Sequence, residues 1–236
     1  LKIQHIGREV SIKYIPEDLR PHLATGENQN HFEVMIAPPD FKLTPGKRTV
    51  WFSMWETTRL HESWIEQFNR CDAVIVPSEF CKIIFDANGV NTHIKVVPLA
   101  VDSAVFCPKH NDALDTRDHS IIGTSGRVYR MGGVRKNFAA VVEAFSIAFM
   151  DDDNVRLQIK LSPQCDVPAL EDERIDVIRE EWTEAQLADW YKSLDCYATA
   201  SRSEAWGLTE HEAMACGVPV VATNYGGRTH FFGPDT

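Results

Sequence analysis

Residues Ser201 to Gly217, SRSEAWGLTEHEAMACG, set the reading of this chain. Before them lies a short apolar run, Cys196 to Ala200, which reads as a buried strand. After the loop, Glu210 to Cys216 is rich in helix formers, Gly217 is placed to stop the helix, and Pro219 opens a strand in VPVVAT. The layout is strand, tight loop, helix, strand. In an open α/β sheet, ligands bind at the loop on the carboxyl end of a strand. Glu204 and Glu212 stand eight positions apart across Trp206-Gly207-Leu208-Thr209. Gly207 lets backbone approach a ligand, and the N–H groups at the helix start attract phosphate. Glu212, about one turn inside the helix, can offer both carboxylate oxygens to a sugar diol.

Upstream, Ser120 to Thr124 reads as a strand leading into SGRVYRMGGVRKN, a loop with Gly126, Gly132 and Gly133 beside Arg127, Arg130, Arg135 and Lys136. Asn137 is expected to cap a helix with Phe138, Val141, Val142, Phe145 and Ala148 on its apolar face. Glycines and cations before a helix suit a pyrophosphate; a solvated basic turn is the plainer alternative. The loop matches neither the Walker pattern nor G-x-G-x-x-G. VRLQIKL (155–161) and IDVI (175–178) read as further strands. Thr183 and Gln186 form a capping box, opening a helix that buries Leu187, Trp190, Tyr191 and Leu194.

The first half alternates strand and helix, as a parallel sheet requires. Strands are expected in FEVMIA up to Pro38-Pro39, in TVWFSM, in DAVIV and in IKVVPLAVD. Between them fall a helix with Leu60, Trp64, Ile65 and Phe68 at helical spacing, and a second one from the Ser78 cap to Gly89. Residues 1–16 alternate enough to hold a strand, and His5, His22 and His31 read as surface residues.

The E-x7-E spacing, the glycine after an aromatic, and EAMACGVPVVAT resemble the nucleotide-sugar site of glycosyltransferase family 4. DAVIVPSEF and VVPLAVD resemble the run-out of that family's first domain. The resemblance implies a GT-B fold: two Rossmann-like α/β lobes facing each other across a cleft. The partial amino-terminal, acceptor-side lobe would span 1–105 and the donor-binding lobe 106–236, with 110–119 as linker or domain entry. It also implies transfer of a sugar, with retention, from a nucleotide diphosphate sugar to a sugar, lipid-linked or glycan acceptor. Arg127 and Lys136 would grip the diphosphate, helped by Gly126 and the helix start at Gly207, Leu208 and Thr209. Glu212 would hold the ribose, Glu204 the donor sugar, and the loop at 179–183 with Glu181 would lie against the nucleobase. No metal or cofactor is implied, and the leaving diphosphate would accept the incoming hydroxyl's proton. Many family members carry a His after the second strand, where this chain has Trp55-Glu56. Glu56 could take a polar role there or cap the next helix, whereas His61 reads as a surface residue. Leu1 in place of Met and the missing first Gly-rich loop suggest truncation at both ends. The rival readings are a βαβ crossover with a surface Glu pair, a nucleotide-sugar-binding module without turnover, and an epimerase of the same architecture.

Composition narrows the partners. A net charge of −10 discourages nucleic acid, and 44% apolar with 25% charged residues is ordinary for a globular chain. No apolar run approaches the ~18 residues of a spanning helix, nor is a signal peptide visible. The six cysteines are scattered without C-x-x-C, so free thiols in a cytoplasmic protein are expected rather than zinc.

Overall fold

Apolar β-branched runs alternate with capped helices along the chain, and each run becomes a strand of one of two all-parallel sheets. The computed structural model describes residues 32–36, 43, 45–109, 117–127, 132–165 and 170–233. The strand expected in residues 1–16, the three early histidines, Pro38-Pro39, Arg130 and residues 110–116 of the proposed linker lie outside these. Two units divide the chain, Leu1–Val97 and Pro98–Thr236.

The first unit holds β1 (Phe32–Ile36), β2 (Arg48–Phe52), α1 (Glu62–Phe68), β3 (Ala73–Val76), α2 (Glu79–Ala87) and β4 (His93–Val96), its strands in sequential order. Trp51, Phe68 and Phe85 form its buried centre, with ring centroids 5.7 and 5.0 Å apart. Ser78 caps α2 by accepting from the Cys81 N–H, and Gly89 ends it at φ +89°. One expectation is corrected. IKVVPLAVD does not run as one strand: pairing ends at Val76 and Val96, and Pro98 has no N–H to extend it. His61 is exposed, as expected, and it also caps α1, its Nδ1 accepting from the Ser63 N–H.

The second unit holds β5 (Ser120–Gly126), α3 (Gly132–Lys136), α4 (Phe138–Ala148), β6 (Val155–Leu161), β7 (Ile175–Arg179), α5 (Glu184–Lys192), β8 (Cys196–Thr199), α6 (Leu208–Ala215) and β9 (Val220–Ala222). Its strand order is β7-β6-β5-β8-β9. The chain builds outward from β5 through β6 to β7, then returns to lay β8 on the other side of β5. That reversal between β5 and β8 is the topological switch point, where a crevice opens at the carboxyl ends of the strands.

Ile121 and Ile122 point to opposite faces of this sheet and join separate cores. On one face, Leu157, Ile159 and Leu161 pack with Phe138, Val141 and Phe145 of α4. On the other, Tyr197 packs with Trp190 and Tyr191 of α5 and Ala213 of α6. Each fully buried Leu or aromatic contributes about 1.5–3 kcal/mol. The capping box of Thr183 and Gln186 forms as expected. Two details of α4 differ: Ala148 is exposed, and Asn137 makes no side-chain cap. Asn137 instead sits at φ 54°, a left-handed conformation that Asn tolerates, and donates from Nδ2 to the Ala200 carbonyl at 3.3 Å.

Candidate functional site at the switch point

The switch point is built from the end of β5, the end of α3, the loop after β8 and the start of α6. Tyr197 of β8 fastens the two central strands: its hydroxyl lies 3.0 Å from Ser125 Oγ and accepts from the Ser125 N–H at 3.3 Å. Burial, first of all, pushes the Tyr197 phenol up, so it stays neutral. Beyond β5, α3 replaces part of the expected loop, and its last residues are tied to the loop after β8. Arg202 N–H donates to the Arg135 carbonyl at 2.8 Å, and Arg135 Nη1 donates to the Ser203 carbonyl at 2.9 Å.

These ties deliver two cations onto one carboxylate. Lys136 Nζ lies 2.7 Å from Glu204 Oε1, and Arg135 Nη1 lies 2.9 Å from Oε2. Ser201 Oγ donates to Oε1 at 2.8 Å. Burial pushes the Glu204 carboxyl up, but Lys136, Arg135 and the hydrogen bonds outweigh it and hold it below its ordinary range. Glu204 is therefore ionised at neutral pH. Gly126 leaves room for this packing: a Cβ there would stand 3.3 Å from Lys136 Cε and 3.2 Å from Phe138 Cζ, close enough that those side chains would have to give way by a few tenths of an ångström.

Arg127 and Lys136, read together from the sequence, pair with different carboxylates. Arg127 stands largely exposed past β5 and faces Glu181 at 3.7 Å, so an exposed pair joins the loops after β5 and β7. Arg135 takes the place beside Glu204. Nearby, Lys160 Nζ lies 5.0 Å from the Trp182 ring centroid, and burial lowers its pKa.

The loop then turns through Gly207 at φ +96° into α6, with Leu208 half-exposed at the first position. Thr209 Oγ1 donates to Glu210 Oε2 at 2.7 Å. Glu212 faces inward: the Tyr191 hydroxyl donates to its Oε2 at 3.0 Å. Burial pushes the Glu212 carboxyl up to about 7, against the lowering effect of Tyr191, with Glu184 and Glu210 adding to the rise. The two glutamates of the E-x7-E pattern thus have opposite characters, one clamped ionised and one poised near neutrality.

Sequence reasoning missed three partners: Arg135 for Glu204, Tyr191 for Glu212, and Arg228 for Glu210. Arg228 and Glu210 are both fully buried, with Nη2 and Oε1 3.4 Å apart. Arg135 could have been found as a neighbour of Lys136, but nothing in residue spacing links position 210 to 228. In the first unit, a groove of about 600 Å³ is lined by Trp55, Arg59, Leu60, His61, Ser63 and Trp64. Its two indoles meet edge to face at 4.5 Å. Among the described residues, no helix is long and apolar enough to cross a membrane.

Residues 170–236 match the family model for glycosyl transferases group 1. The D-inositol 3-phosphate glycosyltransferase of Arthrobacter sp. (strain FB24) is 29% identical over 170 residues, which are 64% of this chain and 38% of that protein. The chain thus spans about two fifths of the length of the curated relatives that align along most of it. Among solved structures, a variant of S. aureus TarM in complex with fondaparinux, alpha-GlcNAc-glycerol and UDP superposes with a TM-score of 0.60 at 19% identity, covering 82% of this chain and 42% of TarM. The sucrose-phosphate synthase of Thermosynechococcus elongatus gives 0.61 at 18% identity, covering 84% and 57%. The likeness to solved structures shows a GT-B fold, and within it residues 170–236 match the model for glycosyl transferases group 1.

Proposed function

We propose that this chain belongs to a retaining glycosyltransferase of family 4 that moves a sugar from a nucleotide diphosphate sugar to an acceptor hydroxyl. The observation that carries the reading is the meeting of Arg135 and Lys136 with Glu204 at the switch point, beside the start of α6. Two cations and a helix start in one place are what a leaving diphosphate needs.

In this reading the diphosphate takes over Arg135 and Lys136, with Arg127 reaching in from the end of β5. Glu204 turns from the cations to the hydroxyls of the donor sugar. Glu212 accepts from the ribose diol once it is ionised. The bond from the anomeric carbon to the diphosphate oxygen breaks, and a bond from the acceptor oxygen forms on the same face. The acceptor's proton passes to the diphosphate oxygen, so no protein base is required. The protein's own cations neutralise the leaving group, and the site works without a resident metal or cofactor. UDP is the first nucleotide to test, because the TarM complex named above contains it. The Trp55–Trp64 groove, with Arg59 and His61 at its edge, suits an acceptor carrying a sugar ring and a negative charge.

A second reading, binding without turnover, draws on the fact that both Glu204 oxygens are already engaged. Calorimetry with UDP, GDP and their hexose conjugates tests the donor site: at least one should bind with a dissociation constant below millimolar. Binding by none of them overturns the reading. Slow release of free sugar from the bound donor, absent in Lys136→Ala, separates turnover from binding. Proton NMR of the first product formed shows whether the anomeric configuration is kept.

A further inference from the structure

We infer that Glu210 and Arg228 are positioning residues: a buried ion pair that clasps the 204–209 loop and fixes the backbone at which the donor phosphates would bind. The inference rests on the donor-site reading for its functional side, but the clasp itself is read from geometry.

Arg228 belongs to the one-turn 3-10 helix Gly227–His230, which packs on the loop backbone. The Gly227 N–H donates to the Glu204 carbonyl at 2.6 Å. A Cβ on Gly227 would stand 1.8 Å from the Ala205 oxygen, and one on Gly226 would stand 2.8 Å from the Glu204 oxygen. The turn therefore lies flat against Glu204 and Ala205. From it, the Arg228 side chain runs beneath Gly207: a Cβ there would meet Arg228 Cβ at 3.2 Å and Glu210 Oε2 at 3.3 Å. Gly207 is the residue whose positive φ aims the chain into α6, so the pair fills the space under that bend. Arg228 Nη1 donates to the Thr223 carbonyl at 3.3 Å, anchoring the guanidinium just beyond β9.

The pair is poorly explained as a source of stability. Both side chains are fully buried, and Glu210 Oε1, Arg228 Nε and Arg228 Nη2 have no hydrogen-bond partner among the described residues. A desolvated pair with unmet hydrogen bonds is commonly no better than two apolar side chains of similar volume. What the ions supply is register. Glu210 also accepts from Thr209, so the carboxylate joins the helix start, the loop and the distant turn at one point. Charge is balanced as well: an unpaired Glu210 in the first turn of α6 would repel a diphosphate, and Arg228 cancels it.

The test compares the native chain with the double variant Glu210→Leu/Arg228→Met and with Arg228→Lys. Three quantities are read: melting temperature, hydrogen exchange at the Gly227 amide, and affinity for UDP and GDP. The double variant should melt at or above the native temperature, exchange the Gly227 amide at least tenfold faster, and bind the preferred nucleotide at least tenfold more weakly. Arg228→Lys keeps the charge but not the planar fork, and should give intermediate exchange. Native exchange at Gly227 in the double variant overturns the clasp. Should that variant not fold, native exchange in Arg228→Lys overturns it instead. Faster exchange in a chain whose native form binds neither nucleotide would uphold the clasp and refute the donor site, which keeps the two failures apart.

Discussion

Lys136 Nζ and Glu204 Oε1 lie 2.7 Å apart, although 68 positions separate them in the chain. The carboxylate proposed to hold the donor sugar is therefore the counter-ion of the cation proposed to hold the diphosphate. Donor binding in this site is an exchange of anions, and the first two predictions follow from it.

Glu204→Gln releases Arg135 and Lys136 from a competing charge. Bare UDP or GDP should bind about 1 kcal/mol more tightly, roughly fivefold, while the sugar conjugate should gain less because a sugar contact is lost. Calorimetry of both ligands checks this. Weaker binding of the bare nucleotide would show that Glu204 supports the site rather than competing in it.

Lys136→Ala should weaken a nucleoside diphosphate by about 1.5–3 kcal/mol, as a charge-assisted contact does, and leave the nucleoside nearly untouched. Titrations with uridine and UDP, or guanosine and GDP, provide the comparison. Equal losses for nucleoside and diphosphate would move Lys136 away from the phosphates.

Glu212 gives a pH signature. The unfolded carboxyl titrates near 4.5, whereas the folded one holds its proton to about 7. Between these values the folded state binds more protons, so this group's contribution to stability falls as pH rises, by on the order of 3 kcal/mol across the window. Glu212→Gln removes the fall, and its stability relative to the native chain should increase from pH 5 to 7.5. Urea unfolding of both proteins at several pH values measures the difference, in which the other titrating groups cancel. A difference flat with pH would mean that Glu212 is ionised when buried.

Two glycine substitutions separate backbone strain from collision. At Gly89 a Cβ meets nothing within 4 Å, but φ is +89°, so Gly89→Ala should cost only the left-handed penalty of about 1–2 kcal/mol. At Gly227 the Cβ would stand 1.8 Å from a carbonyl oxygen. Gly227→Ala should cost more than about 4 kcal/mol or prevent folding of the second unit. Chemical denaturation of the two variants ranks them, and comparable losses would contradict the packing of the turn on Ala205.

Local signals determined a large part of this protein. Alternation and apolar runs located the strands, Ser78 and Thr183 marked helix starts, and Gly89 and Gly217 marked helix ends, because each feature acts within a few residues of itself. The E-x7-E loop was likewise visible, and with it the end of the sheet at which the candidate site lies. Tertiary structure decided which charges meet. Cation attraction drew Glu204 to Arg135 and Lys136, while burial with Tyr191 left Glu212 close to neutral, and no spacing distinguishes two such glutamates. The same limit hid Arg228 from Glu210. A charge pair across the fold depends on how strands order and helices pack, and those are properties of distance in space, which a one-dimensional pattern does not contain.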